Sequence, residues 1–135
     1  IELVSNFTSE LRRISGDSHT FLIPDPLSGS PCKRLNLFLR WMVRRDGIDL
    51  GLWDKVSPAN LIIPLDTHIG KVSYHLRWIS TPSLSWKKAE AITNVLRKFD
   101  PEDPVRYDFS LCHESMSNTD FVKRFTSRTK EHENY

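Results

Sequence analysis

Lys33 and Asp66 are the two residues whose types and settings suggest chemistry. Lys33 lies in Cys32-Lys33-Arg34-Leu35-Asn36-Leu37-Phe38-Leu39-Arg40-Trp41-Met42-Val43-Arg44, and Asp66 lies in Pro64-Leu65-Asp66-Thr67-His68. Each stands at the start of a segment that reads as helix. An amine held beside a carboxylate can lose its proton, attack an electrophilic carbon and form a Schiff base. That chemistry requires the fold to bring together two residues far apart in sequence.

The elements that must do so are helical. Val4, Phe7, Leu11 and Ile14 recur at helical spacing, and Gly16 follows as a stop. The stretch from Ser15 to Pro31 holds Gly16, Pro24, Pro26, Gly29 and Pro31, which reads as a loop or hairpin. From Cys32 to Arg44, Leu35, Phe38, Leu39 and Met42 form an i, i+3, i+4, i+7 stripe directed at the core. Trp41 is assigned to packing with them. Lys33, Asn36, Arg40 and Arg44 fall on a polar face of the same helix, which the pattern expects to be solvated and to carry three cations.

Arg45-Asp46-Gly47 closes that helix, and a connection with one short helical turn near Gly51-Leu52-Trp53 is expected before Pro64. Asp66 then caps a third helix carrying Ile69, Val72 and Leu76, since a carboxylate satisfies the free amides of a first helical turn. A fourth helix follows Pro82, with Ala89, Ile92, Val95, Leu96 and Phe99 as its stripe and Asp100-Pro101 as its end. Asp103-Pro104 reads as a cap with proline at the first helical position, opening a fifth stripe of Val105, Phe109, Cys112 and Met116. The expectation is an all-α fold of about five to six helices, a single helical domain over residues 1–116 and a polar tail over 117–135.

Composition narrows the class. At 135 residues, 39% hydrophobic and 27% charged, the chain is long enough for one buried core and carries no apolar run that spans a membrane. A net charge of +2 does not announce nucleic-acid binding, so any such reading rests on where the cations sit. Cys32 and Cys112 are the only cysteines, which leaves too few thiolates for a cysteine-built zinc or iron–sulfur site and fits a reducing cytoplasm. His113 with Glu114, and His132, have no partners at ligand spacing, so no metal and no cofactor are expected. The start at Ile1 falls inside a periodic segment, which suggests a chain cut from something longer.

The run from Cys32 to Arg44, with Leu61-Ile62-Ile63-Pro64-Leu65-Asp66-Thr67-His68 and Asp103-Pro104-Val105-Arg106-Tyr107-Asp108-Phe109, resembles an uncharacterised bacterial family known as a domain of unknown function. The resemblance spans roughly Leu22 to Cys112. Members of that family are longer at the N-terminus, so the resemblance implies a C-terminal half whose missing N-terminal half would be its partner. The family is in turn distantly similar to the helix-hairpin-helix DNA glycosylases, whose hairpin reads L-P-G-V-G-x-K and whose later word reads V-D-T-H. Here the corresponding words are Leu27-Ser28-Gly29-Ser30-Pro31-Cys32-Lys33 and Leu65-Asp66-Thr67-His68.

That second resemblance implies a helix-hairpin-helix glycosylase-like domain acting on damaged duplex DNA. Lys33 would be the nucleophile and Asp66 the catalytic carboxylate, with Gly29, Arg34, Arg40, Arg44 and His68 meeting the DNA. Pro31 stands where the hairpin has its second glycine and removes one N–H that would point at a phosphate. Trp53, in a loop, is the tryptophan expected to be free for stacking. Two other readings fit the same residues: a nucleic-acid-binding module without chemistry, and a scaffold or interaction domain whose charges are only a solvated face.

Overall fold

The computed structural model describes residues 1–16 and 21–117. Among them are five α-helices, α1 (Glu2–Ser15), α2 (Lys33–Val43), α3 (Thr67–His75), α4 (Trp86–Leu96) and α5 (Asp108–Ser117). Single 3-10 turns lie at Pro26–Ser28, Pro58–Asn60 and Pro104–Tyr107. No strand occurs among the described residues, only one isolated antiparallel bridge between Arg45 and Leu50. The fold is all-α. The tail expected over residues 117–135 lies outside the described residues beyond Ser117.

The main core gathers Val43, Leu61, Ile63, Leu65, Ile69, Ile79, Ala89, Ile92, Leu96 and Val105. A smaller cluster of Cys32, Leu35 and Trp86 lies beside it, with Val4 and Phe7 of α1 against it. Burying such aliphatic side chains stabilises a fold by roughly 1.5–3 kcal/mol each.

Leu61, Ile63 and Leu65 reach this core from an extended segment, not from a helix. A buried extended backbone without a sheet needs other hydrogen-bond partners. One α4 residue, Thr93, and one just beyond the helix, Arg97, supply them. Thr93 Oγ1 accepts the Ile63 N–H at 3.0 Å while donating to the Ala89 carbonyl at 2.7 Å. Arg97 donates to the Ala59 carbonyl at 3.3 and 3.2 Å and to the Leu61 carbonyl at 3.4 Å. The segment that delivers Asp66 is therefore clamped to α4 immediately before the residue that matters.

Three local expectations are corrected. The short turn expected near Gly51 forms instead at Pro58–Asn60, because Ser57 accepts the Ala59 N–H and proline follows at the first position. Around Gly51 the Leu50 and Gly51 amides both donate to the Trp41 carbonyl, tying the loop to the end of α2 without a turn of their own. Asp103 does not cap with its side chain, since that carboxylate holds Arg44. Phe38, Trp41, Phe99 and Phe109 are exposed, and the side inward on α2 is Leu35, Asn36, Arg40 and Val43. The polar face expected to be solvated is mostly buried.

Candidate functional site

The Lys33 Nζ lies 3.2 Å from the Asp66 Oδ2. Two segments bring them there. α2 begins at Lys33, directly after Cys32, whose backbone is left-handed (φ 48). A non-glycine residue rarely adopts that conformation, and three contacts hold it: the Cys32 N–H donates to Ser30 Oγ, its Sγ donates to the Pro24 carbonyl, and Asn36 Nδ2 donates to the Pro31 carbonyl. Asn36, read from sequence as a surface position, is 2% exposed and pins the loop that ends at Pro31 to the helix it precedes.

Asp66 arrives at the end of the clamped segment and is the N-cap of α3. Its Oδ1 accepts the His68 N–H at 3.0 Å and the Ile69 N–H at 2.9 Å. The two carboxylate oxygens thus divide their work, Oδ1 closing the helix and Oδ2 facing the amine. The Lys33 side chain is 48% exposed and that of Asp66 17%, so the pair opens to solvent on the amine side.

α5 packs against α3. It carries Asp108 and Cys112, both of which feel the charges of Asp66 and Lys33. Burial pushes the Asp108 carboxyl above the usual carboxylate range, against the pull of Arg40. Burial likewise raises the Cys112 thiol, as does the negative charge of Asp66. Neither residue stands out in the sequence as a neighbour of Lys33. The spacing of α2 gives no signal for Asp108, because it shows Arg40 only as one cation of a polar face.

Arg40 and Arg44 are part of a buried ion network, not of an open cationic face. Arg40 donates to Asp49 at 3.1 Å and to Asp108 at 2.5 Å. Arg44 pairs with Asp49, with Asp46 at 2.8 Å and with Asp103 at 2.9 Å. The two arginines are 5% and 7% exposed, and their donors are directed at carboxylates. Burial opposes the charge on Arg44, but Asp103, Asp46 and Asp49 outweigh it and hold the guanidinium above its ordinary value. Sequence spacing put these arginines together on one face of α2 and expected that face to be solvated, but acids from elsewhere in the chain cover it.

Of the other residues read as DNA contacts, Arg34 is exposed and lies over the Phe21 ring at 5.4 Å. Gly29 has a positive φ of 88 that glycine adopts freely. Its N–H donates to the Pro26 carbonyl, and its own carbonyl accepts the Trp86 N–H at 3.1 Å. His68 is exposed in the first turn of α3. Trp53 is half-buried and meets Phe38 edge to face at 5.7 Å. No group of three or more His, Cys, Asp or Glu with metal-binding geometry exists among the described residues.

Residues 1–117 match the model of a family described as a protein of unknown function, DUF2400. The chain belongs to that family. The match covers all five helices, and with them Lys33, Asp66, the turn at Pro26–Ser28 and the buried ion network. No curated protein and no solved structure matches the chain. No helix of the described residues is long and apolar enough to cross a membrane.

Proposed function

We propose that this DUF2400 chain carries the reactive centre of a DNA base-excision glycosylase with associated lyase activity, Lys33 being the nucleophile and Asp66 its carboxylate partner. The observation that carries this reading is the 3.2 Å contact between Lys33 Nζ and Asp66 Oδ2, made while the other oxygen of Asp66 is occupied by the helix cap. Lys33 has no comparable structural duty, and its half-exposed amine can be reached by a nucleotide flipped out of a duplex.

In the reaction, Lys33 gives up a proton and its nitrogen forms a bond to C1′. The glycosidic C1′–N bond breaks, and its electron pair leaves with the base, which takes up a proton. The sugar ring opens to a protonated imine on Lys33. Loss of a C2′ proton then expels the 3′ phosphate by elimination. Asp66 receives the lysine proton and faces the positive charge that develops on the sugar.

Borohydride reduction in the presence of a duplex bearing an abasic or oxidised site tests the reading, because it fixes the imine as a covalent complex. Wild-type chain is expected to be trapped, Lys33→Gln not at all, and Asp66→Asn about 10²-fold more slowly or less. Absence of trapping, or trapping that survives Lys33→Gln, overturns the reading.

A second reading, a DNA-binding module without chemistry, is favoured by one specific feature. Pro31 offers no N–H, and the Gly29 N–H is engaged by Pro26, so the hairpin presents fewer donors to a phosphate. Binding of duplex without trapping would select it.

A further inference from the structure

We infer that the surface formed by α3, the Ser80–Ser85 loop and the start of α4 is the face along which the phosphodiester backbone of a nucleic acid runs, with Lys71, Lys87 and Lys88 as its phosphate contacts. This rests on the reading of DNA as the partner and assigns where that partner lies.

The argument begins with the distribution of charge. From Thr67 to Ala89 the chain holds Lys71, Arg77, Lys87 and Lys88 and no Asp or Glu. The acids lie elsewhere. Asp46, Asp49, Asp103 and Asp108 are drawn into the network around Arg40 and Arg44, and Asp100 pairs with Arg106. A chain with net charge +2 therefore holds a network in which arginines are neutralised by aspartates, and a cationic stretch bounded by Asp66 and Glu90 in which four cations stand against those two flanking acids.

The fold places that stretch beside the reactive pair. α3 starts at the Asp66 cap, and Gly70 on α3 sits so close to the loop that a Cβ there would meet Leu84 Cδ2 and the Pro82 carbonyl, each at 3.3 Å. The Trp86 N–H at the start of α4 donates to Gly29 of the hairpin that leads into Lys33. The turn before Lys33, α3, the loop and the start of α4 are thus packed together, with the Lys33–Asp66 pair where α2 and α3 begin.

The surface chemistry suits a phosphate backbone. Lys71 and Lys87 are exposed, and Lys88 Nζ is held out by Ser80 Oγ at 3.0 Å. Ser80, Thr81 and Ser83 are exposed hydroxyls, with Thr81 and Ser83 paired at 3.1 Å. Ammonium groups interspersed with small hydroxyls bind phosphate oxygens without reading bases. An acidic peptide could use the same cations, but hydroxyls alternating with ammonium groups match the regular run of phosphates along a nucleic-acid strand, which favours the nucleic acid.

The test is fluorescence anisotropy of a labelled, undamaged duplex at salt concentrations between about 50 and 200 mM, since each phosphate contact contributes about 0.9 to the slope of log K against log salt. Wild-type chain is expected to bind with a steep slope. The triple variant K71A/K87A/K88A is expected to lose about 3 from that slope. The double variant K55A/K98A, which removes exposed lysines outside this surface, is expected to leave it unchanged.

Equal slopes for wild type and the triple variant overturn the inference. So does an equal loss per lysine in the double variant, which would make the effect one of net charge alone, and so does tighter binding of polyglutamate or anionic vesicles than of duplex. Because the duplex is undamaged, this measurement is separate from borohydride trapping. Salt-dependent binding lost in the triple variant without trapping sustains the surface and removes the glycosylase, and trapping with an unchanged slope does the reverse.

Discussion

Asp66 serves two functions through two oxygens, and substitutions can separate them. Asn caps a helix about as well as Asp, whereas Ala leaves the His68 and Ile69 amides without their acceptor. Asp66→Ala is expected to lower stability by about 1 kcal/mol and Asp66→Asn by a few tenths, as measured by urea unfolding. Both lose the anionic partner of Lys33. If the two variants unfold at the same urea concentration, the cap has no energetic role. A second carboxylate is read through pH. The N–H groups of Asp49 and then Ile48 hold Asp46 below its ordinary 3.8, with Arg44 adding to them. Its folded value being depressed, Asp46 contributes stability that is present above 3.8 and lost as pH falls through the folded value. Asp46→Asn keeps an oxygen acceptor but cannot titrate, so stability should fall less steeply with acid than in the wild type, and an identical slope in the two proteins would refute this.

At the scale of elements, α2 shows what periodicity conveys and what it leaves out. The extent of the helix was legible from its apolar spacing, as were the stop of α1 at Gly16, the Asp66 cap and α4 with buried Ala89, Ile92 and Leu96. Which side of α2 faces inward was not. A helical wheel treats Asn36 and Arg40 as solvent-facing, but burial of arginine depends on acids brought from Asp49 and Asp108, which local spacing does not show. The buried Leu61–Leu65 segment was missed for a similar reason, since an extended run without a strand partner survives only through Thr93 and Arg97, both distant in sequence. Breaking the network should be costly. Arg40→Ala leaves Asp49 and Asp108 without this cation inside the fold and is expected to destabilise by about 3–5 kcal/mol, whereas Arg34→Ala on the surface should cost under about 0.5 kcal/mol. Thermal melts of the two variants decide it, and comparable melting temperatures would mean the network is energetically idle. Asp108 runs opposite to Asp46 in pH: its folded value is raised, so the cost of ionising it is relieved as pH falls through that value.

For the molecule as a whole, the class was readable from the sequence, and the meeting of Lys33 with Asp66 was only a conjecture there, because nothing within either word specifies the other. What joins them is the core between: α3 set by its cap, α2 set by the loop that precedes it, and Leu61 to Leu65 threaded through. The same architecture sorts charge, folding Arg40 and Arg44 in among aspartates and leaving Lys71, Lys87 and Lys88 outside that network, with Glu90 the acid nearest the two α4 lysines in sequence. A protein of net charge +2 with its charges evenly mixed would pass almost unretarded through either kind of ion-exchange column near neutral pH. The inferred lysine face would make this one behave differently. It should be retained on a cation exchanger by one face and elute later than its net charge implies, and the K71A/K87A/K88A variant should elute earlier than the K55A/K98A variant by more than the difference of one charge allows. In free solution the same face is expected to turn the molecule as it approaches a polyanion, so that it arrives with the Lys33 side leading.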